Sequence, residues 1–138
     1  MVNNPQYISI GRGVHIRPYV RLDATDCYRK AETQTFDPNL SIGDYSYLGM
    51  FVCIECNCEV VIGRYVLISQ RVCITDHGHQ FSDPNVPIMQ QPLTENRRIV
   101  IGDGSFIGHG AIILPAVSIG ANSVIKHYDF NSAEWITC

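Results

Sequence analysis

Aliphatic residues recur along this chain at steps of six. ISIGRGVHIRPYVRL sets Ile10, Ile16 and Leu22 at that interval, and LSIGDYSYLGMFVCIE does the same with Ile42, Leu48 and Ile54. VVIGRYVLISQRVCIT gives Ile62, Ile68 and Ile74, and IVIGDGSFIGHGAIILPAVSIGANSVI carries Ile101, Ile107, Ile113, Ile119 and Ile125. Two positions before each marker stands a second small or aliphatic residue, as at Val14, Ser46, Val52, Val72, Ser105 and Ala111. A period of six is neither the 3.6 of a helix nor the 2 of a free strand. It fits short strands separated by sharp bends. Three such strands make a triangular coil of about 18 residues, and coils stack at ~4.8 Å with the markers as internal ladders. The count lays Ile54 against Ile74, and therefore Cys53 against Cys73 on the outer face. Glycine after a marker reads as a bend residue with an unusual φ.

Two segments, 23–39 and 76–98, contain no hexads, and loops of that length in a compact domain usually carry function. A solenoid projects such insertions from a corner. The two-residue excess between Ile54 and Ile62 reads as a small bulge at another bend. The expectation is one all-β solenoid domain over 1–125, followed by a tail, 126–138, whose Tyr128, Phe130 and Trp135 cap the last coil.

Composition narrows the function classes. A formal net charge of −3 over 138 residues supplies no basic field for nucleic acid. The longest apolar runs fall well short of the ~20 residues of a spanning helix. MVNNPQYISIG lacks the basic and apolar regions of a secretory signal, so the expected location is cytoplasmic and membrane insertion is not expected. The six cysteines include CIECNC (Cys53, Cys56, Cys58), whose spacing matches no paired zinc pattern. Reduced thiols and no metal are expected.

The chemistry-bearing stretch is ITDHGHQFSDP, with His77 and His79 around a glycine. By itself it could be a metal site, a catalytic base or a solvated loop. With the hexads on either side, and with NPQYISIG and PIMQQPL, the chain resembles the hexapeptide-repeat acyltransferases, above all the sugar and polysaccharide O-acetyltransferases such as the galactoside and maltose enzymes. The resemblance implies a left-handed parallel β-helix, although parallel crossovers are otherwise right-handed in ~98% of cases. It implies acetyl-CoA as co-substrate, a small-molecule acyl acceptor, and a homotrimer with active sites between subunits. The catalytic histidine of those enzymes lies five residues beyond the marker, which here is His79; His77 is the other candidate. Register with the galactoside enzyme puts the oxyanion-stabilising amide on His109. It puts Phe106, Gly108, His109 and Gly110 beside the cofactor, with Lys126 and His127 as candidates for its far end. Asn57 and Asp76 fall near the acceptor, and Gly49 replaces an asparagine those relatives use; Asp76 is also a candidate to orient His79 or His77, or to cap the loop turn, the commoner role for an aspartate. The relatives' further C-terminal coil is absent before KHYDFNSAEWITC.

An imidazole suits the task, because it takes a hydroxyl proton near neutral pH while the oxygen attacks a thioester. GxSxG is absent, so no acyl-enzyme is expected. Two other classes share the fold. A γ-carbonic-anhydrase-like metalloenzyme needs three histidines; His109 matches one ligand, but its companion position holds Leu114. A non-catalytic solenoid leaves the His-bearing insertion unexplained.

Overall fold

The computed structural model describes residues 1–29, 33–94 and 96–126. They form a left-handed parallel β-helix of three five-stranded parallel sheets. The first face stacks Val2–Asn3, Arg21–Ala24, Cys53–Cys56, Cys73–Thr75 and Ile112–Ile113. The second stacks Ile8–Ile10, Asn39–Ile42, Glu59–Ile62, Ile99–Ile101 and Ser118–Ile119. The third stacks His15–Ile16, Tyr47–Leu48, Leu67–Ile68, Phe106–Ile107 and Val124–Ile125. One strand from each face makes a coil, and five coils make the prism.

The hexad markers form the core. Leu22, Ile54, Ile74 and Ile113 are in register on the first face, and Ile10, Ile42, Ile62, Ile101 and Ile119 on the second. Ile16, Leu48, Ile68, Ile107 and Ile125 line the third. Those of the three middle coils are at most 2% exposed. Ile10 and Ile16 belong to the first coil and have neighbours on one side only, so they remain exposed. The paired residue two positions earlier fills the corner. Where it is Ser46, its hydroxyl donates to Gly63 O at 2.8 Å and accepts from Val66 N at 3.0 Å, so a buried polar group is satisfied in place.

The glycines after markers serve a different need from the one their position suggests. At Gly43 an added Cβ would sit 2.5 Å from the carbonyl carbon of Gly63 in the next coil, so the constraint is close backbone approach rather than φ. The left-handed conformations fall elsewhere, at Gly13, Tyr45, Tyr65, Gly104 and Asn122 on the corner between the second and third faces and at Tyr19, Phe51, Arg71 and Gly110 on the corner between the third and first. For a side-chain-bearing residue this costs roughly 1–2 kcal/mol. Stacking offsets part of it: the Tyr19 and Phe51 rings lie 5.1 Å apart, and the Arg71 guanidinium sits 5.7 Å over Phe51.

Every irregularity falls on one corner, between the first and second faces. The first insertion runs between Ala24 and Asn39, two residues inside its expected start and one inside its expected end, and the second runs between Thr75 and Ile99, at its expected bounds. The Cys56–Glu59 excess lies on this same corner, not on another bend, because it too joins a first-face strand to a second-face strand. Both insertions are folded rather than loose. The first contains an antiparallel pair, Cys27–Arg29 with Thr33–Thr35. The second contains another, Gly78–His79 with Leu93–Thr94. The tail from His127 onward, with its proposed capping aromatics, lies outside the described residues.

Candidate functional site

The second insertion builds a cleft. Strand Cys73–Thr75 carries Ile74 inward, and the next inward position is Asp76, which is fully buried. The chain then leaves the prism as a hairpin in which His79 pairs with Leu93, and Gln80 N donates to Pro92 O at 3.0 Å. Arg97 N donates to Asp76 O at 2.9 Å and closes its base. Beyond the hairpin, the Gln91 amide donates to the carbonyls of Asp83 and Val86 at 2.9 and 2.7 Å and holds the outer turn. His77, His79, Phe81, Ser82, Thr94, Leu114 and Pro115 line an open cavity of about 670 Å³. Leu114 and Pro115 come from the corner of the fifth coil, so the cleft lies between hairpin and prism.

The two histidines have different surroundings. His77 is mostly buried, with Nδ1 2.9 Å from Asp76 Oδ1. His79 is exposed, and its ring meets the Tyr28 ring edge-on at 5.8 Å. Tyr28, from the first insertion, was not foreseen. Only a stretch without hexads marked its segment, and nothing in the sequence paired that stretch with the histidines.

Asp76 does not meet an acceptor. Asn57 N and Cys58 N donate to its two oxygens at 2.9 and 2.8 Å, and His77 takes the remaining direction. It therefore positions His77 and not His79. The expected role in substrate binding is corrected by its complete burial. Asn57 is 2% exposed, so it too is closed to an external sugar. Among the described residues, its side-chain Oδ1 and Nδ2 have no hydrogen-bond partner. Burial pushes the Asp76 carboxyl upward, but the hydrogen bonds from His77, Asn57 and Cys58 outweigh it and hold the group below the ordinary carboxylate value. A depressed carboxyl gives stability that is complete above its unfolded pKa and is lost as pH falls through the folded one. Asp76→Asn, which loses charge-assisted bonds, is expected to cost about 2–4 kcal/mol at pH 7. Its deficit against the native chain should shrink below about pH 4. Urea unfolding at pH 7 and pH 3 measures both, and an unchanged deficit at pH 3 would contradict this account.

The predicted cofactor residues lie on a different corner. Phe106 is on the outer side of the third face, in register with Leu67 and Val124. Gly108, His109 and Gly110 form the bend from third face to first, with Gly110 N donating to Gln70 O at 3.0 Å. His109 is exposed, and among the described residues its amide has no backbone acceptor. Gly110 has φ 71°, and a Cβ there would meet nothing within 4 Å. In the column Tyr19, Phe51, Arg71, Gly110 it is the position without a side chain, which leaves backbone open to approach. None of Phe106, Gly108, His109 and Gly110 lines the His79 cleft. The first face separates the two corners. Lys126 is half-buried at the end of the described helix, and His127 lies outside it.

The thiols diverge. Cys53 and Cys73 are neighbours in register on the outer first face, while Cys56 points inward. Burial and the nearby Asp76 push the Cys56 thiol up to about 12, and burial with Glu55 pushes Cys53 up to about 11. Such thiols are poor nucleophiles at neutral pH. Among the described residues no three His, Cys, Asp or Glu side chains converge as a metal site.

The family described as "Bacterial transferase hexapeptide (six repeats)" matches residues 98–128. WbbJ of Escherichia coli K12, named as a lipopolysaccharide biosynthesis O-acetyl transferase, is 35% identical over 66% of this chain and 50% of its own. WcaF of the same organism, named as a colanic acid biosynthesis acetyltransferase, is 28% identical over 84% of this chain and 54% of its own. The chain thus spans about half the length of these curated relatives. Among solved structures, AntD, an N-acyltransferase from Bacillus cereus in complex with dTDP and 3-hydroxybutyryl-CoA, superposes with a TM-score of 0.70 at 16% identity. The superposition covers 99% of this chain and 74% of AntD, and at that identity it speaks for the fold. The chain carries the hexapeptide repeats of the bacterial transferases, and its likeness runs to the sugar and polysaccharide O-acetyltransferases.

Proposed function

We propose that this chain is an acetyl-CoA-dependent O-acetyltransferase acting on a hydroxyl of a sugar or cell-surface saccharide. The observation that carries the reading is the cleft on the insertion corner, where a hairpin presents His79 at an open cavity beside an apolar wall. The names of the relatives supply the chemical class, and the CoA ligand of AntD supplies the donor. In this reading His79 accepts the hydroxyl proton as the acceptor oxygen bonds to the thioester carbonyl carbon. The His109 amide stabilises the oxyanion. The carbon–sulfur bond then breaks, and CoA leaves as the thiol with the proton from His79.

His79 and His109 stand on different corners of one chain, so this chemistry calls for two copies, each giving one corner. A closed threefold assembly meets the requirement. The apolar residues exposed around the cleft, Phe81, Ile88, Met89, Ile112 and Leu114, are the surface such a neighbour would cover.

One observation favours a second reading of the base. His77 has the carboxylate partner that fixes an imidazole tautomer and leaves Nε2 as the acceptor. Separate His77→Ala and His79→Ala variants decide between them.

The direct test is release of free thiol from acetyl-CoA by the purified chain, read against a panel of sugars and oligosaccharides. Acceptor-dependent release with an acetyl ester in the product is expected. No release above the protein-free rate with any acceptor would overturn the proposal and favour a non-catalytic solenoid.

A further inference from the structure

The first insertion has no role in the chemistry above, yet it is fastened to the second. Gln34, in the strand Thr33–Thr35, grips the backbone of Leu93 on both sides: its Oε1 accepts from Leu93 N at 2.7 Å, and its Nε2 donates to Leu93 O at 3.2 Å. Leu93 is the residue paired with His79 across the hairpin. Tyr28, in the strand Cys27–Arg29 paired with Thr33–Thr35, donates its hydroxyl to Met89 O at 2.7 Å. The same tyrosine sets its ring edge-on to the imidazole of His79, 5.8 Å away.

These contacts act where the hairpin is otherwise weakest. An isolated two-stranded hairpin is marginal in water, and this one pairs only Gly78–His79 with Leu93–Thr94. Gly78 has nothing within 4 Å of a built Cβ, so the strand bearing His79 is not packed there. A base held this loosely would sample many orientations, and misplacement by about 1 Å can cost on the order of 100-fold in rate. The Gln34 clamp makes Leu93–Thr94 the middle of a three-part layer, and the Tyr28 ring limits the space open to the imidazole.

We infer that the paired strands Cys27–Arg29 and Thr33–Thr35 are a positioning element for the catalytic base, with Gln34 fixing the strand behind His79 and Tyr28 fixing its ring. This rests on the reading that His79 is the base. Gln34 and Tyr28 act through His79 and are positioning residues, not catalytic ones.

Four variants test it, assayed by thiol release from acetyl-CoA with a working acceptor. Gln34→Ala is expected to lower kcat about 10-fold or more, with KM for acetyl-CoA unchanged, because the donor site lies on the other corner. Gln34→Glu keeps the acceptor toward Leu93 N and should recover part of the loss. Tyr28→Phe, which keeps the ring, should lose less than about threefold, while Tyr28→Leu should match Gln34→Ala. Thermal melting within a few degrees of the native chain separates positioning from unfolding. If Gln34→Ala melts early, the Tyr28 pair, which differs by a ring alone, carries the test. Native kcat in both Gln34→Ala and Tyr28→Leu, with His79→Ala inactive, would overturn the inference and leave His79 as the base. Full activity in His79→Ala would instead remove the reading beneath it.

Discussion

Replacing His79 by alanine is expected to lower acetyl transfer by about 10²–10⁴-fold, the usual worth of general-base assistance, while acetyl-CoA binding measured by calorimetry stays as in the native chain. The expectation follows from geometry. His79 lies on the hairpin at the insertion corner, and the bend of Gly108, His109 and Gly110 lies across the first face from it. Removing an exposed imidazole therefore disturbs neither the prism nor the opposite corner. The comparison with His77→Ala is informative because His77 is tied to the buried Asp76. Truncating His77 takes a hydrogen bond from a fully buried carboxylate, so some stability should go with it. A loss of rate in His77→Ala with native stability, and none in His79→Ala, would reassign the base.

Ile54→Ala is expected to produce the largest loss of stability of any single substitution discussed here, about 2–5 kcal/mol, or a fall in melting temperature of roughly 6–20 °C. Ile54 is fully buried in the middle coil, in register between Leu22 and Ile74. A cavity there interrupts the ladder from both sides, and the tightly stacked backbone of neighbouring coils cannot close over it. Urea unfolding measures the effect. A cost below about 1 kcal/mol would mean the column is not the close-packed core its register implies.

The prism was legible because its signal is redundant. Each ladder repeats an isoleucine or leucine four or five times, and the spacing alone set Ile54 against Ile74. What failed was the reading of single residues. Gly43 follows a marker, and position suggested unusual φ, whereas the cause is a backbone in the next coil that only coordinates reveal. Several corner residues that do adopt positive φ are aromatic, as at Tyr19, Tyr45, Phe51 and Tyr65, and propensity gives no hint of that.

The site was half legible. The break in the hexads marked the insertion, and the resemblance marked His79. The links that hold the site together were not visible, because they join segments distant in sequence: Asp76 to the 57–58 backbone, Gln34 to Leu93, Tyr28 to Met89. Hydrogen bonds of one side chain to a remote backbone leave no periodic trace. Register assigns Asn57 to the acceptor, and Asp76 reads as lying near it or as orienting a histidine; burial, which register does not report, closes both to an outside sugar.

The central claim is that one copy supplies His79 and a neighbour supplies the bend at His109 and Gly110. Mixing two inactive variants tests it most directly. His79→Ala lacks the base, and Gly110→Tyr blocks the opposite corner. The second should fold, because Tyr19 and Phe51 already hold aromatic side chains in that left-handed column and the space over Gly110 is open. Each variant alone should be inactive. Co-refolded at equal amounts into threefold assemblies, they should recover about a quarter of native activity, the share of sites with an intact base facing an intact bend. Verified mixed assemblies that remain as inactive as their parents would show that the two corners do not serve one site.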